Sequence, residues 1–302
     1  MTMPREIVPG FTYVLSRRTS QRCFLLRPDP FVTQAFLYCL AYAATTFGID
    51  VHAFVALSDH VHLVVTDPFG VLPDFMQCLD LLVAKTVNAY RGRWECLWTP
   101  GSYSAVKLET SDDVVAKIVY VLANPVAAGL TSHAKDWTGA TSVRWKFGET
   151  RTFERPVGFF DVDGTMPEKV ELTLVPPPGF DDRTNEELDR LVIERLRAEE
   201  TRIRAERQAE GKSFLGMDGV MRCDPNDRPG TREPRREMNP RIAAADVDVR
   251  VEAIRARKEF LDAYRQAYCA WATGNHDVVF PAGTWLMRVR HAARCQPSPP
   301  PS

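Results

Sequence analysis

The sequence predicts an α+β fold, with an antiparallel sheet carrying helices on one face and a mainly helical C-terminal extension. Two observations carry this. Short runs rich in Val, Leu and Phe alternate with helical stretches up to about residue 150, and beyond residue 184 apolar residues recur only at helical spacing. Phe11 to Arg18 and Gln21 to Leu26 read as strands. Pro28-Asp29-Pro30 opens a helix to about Phe47, inside the longest apolar stretch, Phe31 to Ile49. Thr33, Gln34, Tyr38 and two further threonines interrupt that stretch, so it is a core helix and not a membrane span. Val51 to Leu57 and His60 to Thr66 read as paired strands joined by a tight turn at Ser58-Asp59. A helix follows from about Pro73 to Arg91, with Phe75, Leu79, Leu82, Val83 and Thr86 at helical spacing, and Trp98 to Leu108 reads as an edge strand. Thr110 or Ser111, with Asp112 and Asp113 behind it, starts a further helix, where acids suit the macrodipole. Pro125 is expected to end or kink that helix at Asn124. This order matches a ferredoxin-like or RRM-like sheet with its opposite face open for nucleic acid.

The expected division is an N-terminal α+β domain at 1–150, a linker at 151–183 marked by Val175-Pro176-Pro177-Pro178-Gly179, and a mainly helical region at 184–295. Within the last, a helix from about Thr184 to Glu210 carries Leu188, Leu191, Ile193 and Leu196. A loop or disordered connector spans 211–245, and a helix from about Asp246 to Ala272 presents Val251, Ile254, Leu261, Tyr264, Tyr268 and Trp271 as a packing face or, in the functional reading, a stacking surface for bases or a docking face for the core. Residues 296–302 form a Pro/Ser-rich disordered tail. Seven cysteines without a CxxC pair, and no basic, apolar leader, point to a reduced, cytoplasmic setting.

The chemistry concentrates in two motifs. Asp59-His60-Val61-His62-Leu63-Val64 places two imidazoles on one face of a strand, about 6.6 Å apart along it, close enough to share a metal ion. Fifty-eight residues after His62, Tyr120 and Asn124 form an i,i+4 pair on a helix whose opposite stripe is Val114, Val115, Ile118, Val119, Val121 and Leu122. Read separately, each has a bland reading, half-exposed strand histidines and a tyrosine at the edge of a core.

Together the motifs resemble the single-tyrosine HUH transposases of insertion sequences, and among them the REP-associated tyrosine transposases. In that family a His-hydrophobic-His strand faces a helix bearing the nucleophilic Tyr, with a polar residue one turn later completing the metal site. His60, Val61 and His62 match the first element. Tyr120 and Asn124, within the stretch Tyr120 to Leu130, match the second. The resemblance covers roughly residues 8 to 145. It implies Tyr120 as the nucleophile, forming a 5′-phosphotyrosine link and releasing a 3′-hydroxyl. It also implies Mg²⁺ or Mn²⁺ held by His60, His62 and Asn124, with single-stranded DNA bearing a hairpin as the partner. Imidazole is a softer ligand than Mg²⁺ prefers, which favours Mn²⁺; Zn²⁺ competes on ligand type alone. Where the family commonly has Arg this chain has Ala127, which implies one backbone-phosphate contact fewer.

The net charge of −1 is not that of a typical DNA-binding protein. Residues 1–150 carry 13 basic and 13 acidic side chains, 151–200 carry 7 and 13, and 201–302 carry 18 and 13. Positive charge is therefore local, at Arg17, Arg18, Arg22 and Arg27, at Arg232, Arg235, Arg236 and Arg241, and at Arg288, Arg290, His291 and Arg294. The expected nucleic-acid contacts are Lys117, Arg17, Arg18 and Arg22, with the C-terminal region as a separable appendage tuning DNA selection. Two alternatives stay open: a domesticated DNA-binding protein without catalysis, and an HUH nuclease of the relaxase or replication-initiator kind. The latter often has a second tyrosine near the first, and this helix has none. No membrane partner is expected; a homodimer is left open.

Overall fold

The computed structural model describes residues 4–101, 103–158, 160, 164–231 and 241–298; the arginines at 232, 235 and 236 and the last four tail residues lie outside these. Strand β1 (Phe11–Arg18) is central, antiparallel to both β3 (His60–Asp67) and β4 (Ser104–Leu108), and β2 (Asp50–Ala56) lies outside β3. The β2–β3 turn is tight, Leu57 N–H donating to His60 O at 2.8 Å. Helix α1 (Pro30–Phe47) is the expected core helix, ending at Gly48 in the left-handed region, and α2 (Leu72–Arg91) ends likewise at Gly92. No helix among the described residues is long and apolar enough to cross a membrane.

Gln21 to Leu26 forms no strand. A 3-10 turn takes Ser20–Arg22, and Gln21 and Arg22 have φ of 53° and 61°, which a pleated strand cannot accommodate. The segment instead wraps the β2–β3 turn, with Thr19 N–H donating to Asp59 O and Leu26 N–H to Ser58 O, both at 2.9 Å. Among the described residues of Trp98 to Leu108, the last five are strand, and Trp98 makes an isolated bridge to Thr19.

Strand alternation decides what each sheet face carries. Arg17 points away from Ser16 and Arg18 and meets Asp80 of α2 at 3.0 Å, so α2, with α1 packed on it, covers that face. Helix α3 (Ser111–Ala127) covers β2 and β3 on the other. The expectation of helices on one face and an open opposite face is thus corrected: α3 closes half of it, burying β2 and β3 on both sides. Val14, Ser16 and Arg18 of β1 with Ser104 and Val106 of β4 remain half-buried beside it.

Pro125 does not end the helix at Asn124: α3 runs on to Ala127. The ring removes one donor, but Val121, Leu122, Ala123 and Val126 are buried in the core. Ala128 N–H donates to Asn124 O and Leu130 N–H to Pro125 O, closing the last turn.

The stretch 151–183 is not a bare linker: β5 (Thr150–Glu154) and β6 (Lys169–Thr173) pair as a hairpin against α1. Helix α4 (Asn185–Ala209), opened by a Thr184–Glu187 capping box, packs on α3 through Leu188, Val192, Leu196 and Ile203, which join the main core. Ile193, expected in that seam, is 45% exposed because the buried positions follow an i,i+4 course from Leu188. After α5 (Gly216–Arg222), β7 (Ile242–Ala243) joins the sheet parallel to β4, making it mixed. Helices α6 (Val247–Ala272) and α7 (Trp285–His291) build a smaller core around Tyr264, Ala267, Phe280 and Met287, against which Tyr268 and Trp271 pack; Val251 and Ile254 of the expected face are exposed.

His52 gives the fold a pH signature. It is buried on β2 between Val175 O at 2.9 Å and Thr66 Oγ1 at 2.8 Å, and burial lowers its pKa to about 4. The unfolded chain, with an imidazole near 6.5, binds the proton first, so His52 contributes fully above about pH 6.5 and its contribution falls as pH drops toward 4. Replacing His52 with Asn should flatten urea-measured stability across that window, by up to about 3 kcal/mol at its acid end relative to the neutral end.

Candidate active site

His60 and His62 project from β3 toward α3 because they are two residues apart on a strand. Their rings meet edge to face with centroids 4.9 Å apart. From α3, Asn124 brings its Oδ1 to 3.2 Å from His60 Nε2, and the Tyr120 ring stands 5.5 Å from that of His62. Asn124 is 7% exposed and Tyr120 45%, so the amide is held in the interior while the phenol opens to solvent. All four side chains singled out in the two motifs are brought together.

A fifth was missed by the sequence reading, which took Asp59 only as a turn residue. His60 Nδ1–H donates to Asp59 Oδ1 at 2.6 Å, which orients the ring so that Nε2 faces Asn124. The Arg22 guanidinium lies 3.8 Å from the other Asp59 oxygen, and Thr19 Oγ1 donates to the Asp59 carbonyl at 2.9 Å. The available signal was the acid adjoining the first histidine.

The donor set fits a divalent ion. A neutral His60 that donates from Nδ1 to Asp59 turns Nε2 as an acceptor toward the amide-oxygen acceptor, an arrangement that a cation between them resolves. Their 3.2 Å separation is near the roughly 3.0 Å expected of neighbouring donors in an octahedron with about 2.1 Å bonds. No three His, Cys, Asp or Glu side chains cluster to hold a metal among the described residues, so the ion would need Asn124 as third donor, leaving positions for water and phosphate oxygens. Removing the Asp59 charge by Asp59→Asn should weaken Mn²⁺ binding about 10- to 100-fold in calorimetry. Unchanged affinity would show that Asp59 does not tune a ligand.

The expected DNA contacts divide. Lys117 places its Nζ 5.4 Å from the Tyr120 ring centre, beside the site. Arg18 pairs in register with His60 and shares its face. Arg22 is at the site but committed to Asp59 and to Thr231 O at 2.9 Å. Arg17 is corrected: it lies on the far face, bound to Asp80 and to Gly101 O, where α2 covers it. Tyr103, the next phenol upstream, is buried under the Arg5 guanidinium, and burial pushes its ionisation up, whereas Tyr120 opens to solvent.

No protein-family model matches the chain, and no curated protein matches it. Solved structures similar to it include a REP-associated tyrosine transposase bound to a REP hairpin, 16% identical over 46% of this chain and 79% of its own, with a TM-score of 0.39. Another is a putative transposase from Deinococcus radiodurans R1, 27% identical over 41% of this chain and 97% of its own, with a TM-score of 0.30.

Proposed function

We propose that this protein is a transposase-type enzyme that cleaves and rejoins single-stranded DNA beside a hairpin, through a covalent bond to Tyr120. The supporting observation is that Tyr120, His60, His62 and Asn124, drawn from two segments 58 residues apart, converge with the phenol at the solvent-facing rim and the nitrogen and oxygen donors behind it. The nature of the DNA follows from the family resemblance of those motifs.

In the reaction, the Tyr120 hydroxyl oxygen attacks the scissile phosphorus and loses its proton. The new bond joins Oη to phosphorus, the P–O3′ bond breaks, and the leaving oxygen takes up a proton to become a 3′-hydroxyl. Reversal by a 3′-hydroxyl restores the phosphodiester and frees the tyrosine, so no bond energy is lost. His60, His62 and Asn124 would hold a divalent ion, Mg²⁺ or Mn²⁺, which when bound supplies positive charge to the phosphate. Asp59 keeps His60 in the tautomer that leaves Nε2 free to bind, and α3 fixes Tyr120 and Asn124 one turn apart, so the nucleophile and the amide donor move as a unit. Lys117 sits where a phosphate approaching Tyr120 would meet it.

His60→Ala and His62→Ala should each abolish divalent-ion binding in calorimetry and cleavage of a labelled single-stranded hairpin oligonucleotide, because a site with three protein donors cannot spare one. Undiminished Mn²⁺ affinity in either variant would remove the metal from the mechanism.

A further inference from the structure

The C-terminal end of α2 carries the run Tyr90-Arg91-Gly92-Arg93-Trp94, and the indole of Trp94 is fully exposed, at 100%. An indole that buries 150–250 Å² when packed is seldom left entirely in water by a fold that has no use for it. Nor is this a loose loop. Gly92 ends the helix in the left-handed region; Arg93 donates to Asn226 Oδ1 at 2.8 Å and to Glu95 Oε2 at 3.1 Å; Asn88 Nδ2 donates to Glu95 O at 2.7 Å. The backbone is pinned on both sides of Trp94 while its ring stands free.

The loop is also tied to the segment that supports the site. Ser20 N–H donates to Leu97 O at 2.7 Å, and Thr99 Oγ1 donates to Thr19 O at 2.7 Å. Thr19 in turn bonds the Asp59 carbonyl, whose side chain holds His60. Arg22, against Asp59, and Arg93, beside Trp94, both reach the same C-terminal segment, at Thr231 and Asn226. The loop is thus tied, through Thr19 and Asp59, to the end of the sheet that carries His60, and single-stranded DNA leaving the site round that end would pass toward it.

Resting on the function proposed above, we infer that Trp94 is a stacking platform for an unpaired base of the DNA flanking the scissile phosphate. A preformed, exposed ring accepts any base face at little ordering cost, and stacking of this kind changes binding about ten- to a hundredfold when the aromatic is removed. The charges of the joined segments are mixed: Arg93 pairs with Glu95, and the stretch that Arg93 reaches at Asn226 carries Asp224 and Asp227 along with Arg222 and Arg228. The contribution of Trp94 is therefore stacking and not phosphate neutralisation.

The test measures binding of a fluorescein-labelled single-stranded oligonucleotide by anisotropy, in EDTA, at several salt concentrations. Trp94→Ala should weaken binding by ten- to a hundredfold with an unchanged slope of log affinity against log salt. Trp94→Phe should restore most of it, and a duplex of the same length should bind both variants as it binds the parent. With Mn²⁺ and saturating oligonucleotide the covalent adduct should form at the parental rate in Trp94→Ala. Parental affinity in Trp94→Ala, with adduct still formed, overturns the inference and leaves the enzyme reading standing. A change of oligomeric state in that variant also overturns it, making Trp94 a contact for a second copy. No oligonucleotide binding by the parent protein defeats both.

Discussion

Replacing Tyr120 with Phe should abolish the covalent protein–DNA adduct while leaving Mn²⁺ affinity and oligonucleotide affinity within about twofold of the parent, a change too small to count as a lost interaction on the scale of roughly 1.4 kcal/mol per tenfold. The substitution deletes one oxygen from a ring that is half in solvent, and the ring's edge-to-face contact with His62 survives in Phe. Nothing in the core depends on the hydroxyl, so the effect is confined to chemistry. Denaturing gel electrophoresis with a labelled hairpin oligonucleotide reads it directly. A Tyr120→Phe adduct at parental yield would mean another group attacks the phosphate.

The second large effect concerns folding. A chain ending at residue 183 should fail to hold α3 in place. It lacks α4, whose Leu188, Val192, Leu196 and Ile203 are buried in the main core. At about 1.5–3 kcal/mol per buried side chain, their loss is on the order of 6–12 kcal/mol, comparable to the whole stability of an ordinary domain. Polar ties go with them. Glu200 accepts from Ala134 N–H at 2.6 Å, Leu215 N–H donates to Gly129 O and Gly216 N–H to Leu130 O, each at 2.9 Å, gripping the turn that follows the tyrosine helix. Arg207 covers Gly129, whose φ of +73° suits glycine. Thermal melting should show no cooperative transition. A shortened chain that melts cooperatively and still binds Mn²⁺ would make the C-terminal region the separable appendage that its Pro-rich junction suggests.

The strands and the site were legible to different depths for physical reasons. The bounds of β1 and the Ser58-Asp59 turn follow from apolar runs and local turn chemistry, and they appear where the sequence puts them. His60, His62, Tyr120 and Asn124 were legible because period 2 and period 3.6 each put a pair on one face. Arg17 and Arg18 were not distinguishable as neighbours in a charge cluster; only the pairing of β1 sends one to the site face and the other to Asp80. The role of Asp59 depends on a side-chain bond to the next residue's ring, which a turn signal hides. Pro125 was read through local propensity, which the buried Val121, Leu122 and Val126 outweigh. The docking of α4 on α3 is a tertiary contact between segments some 70 residues apart, and no local pattern announces it.

The central claim is a covalent bond between Tyr120 and DNA. The direct measurement is mass spectrometry of the adduct formed with a single-stranded hairpin oligonucleotide and Mn²⁺, after nuclease and trypsin digestion. The tryptic peptide from Ile118 to Lys135 contains Tyr120 as its one tyrosine. The expected result is a 5′-linked phosphonucleotide on that peptide. A nucleotide on any other peptide, or none on a protein that binds both Mn²⁺ and the oligonucleotide, would contradict it.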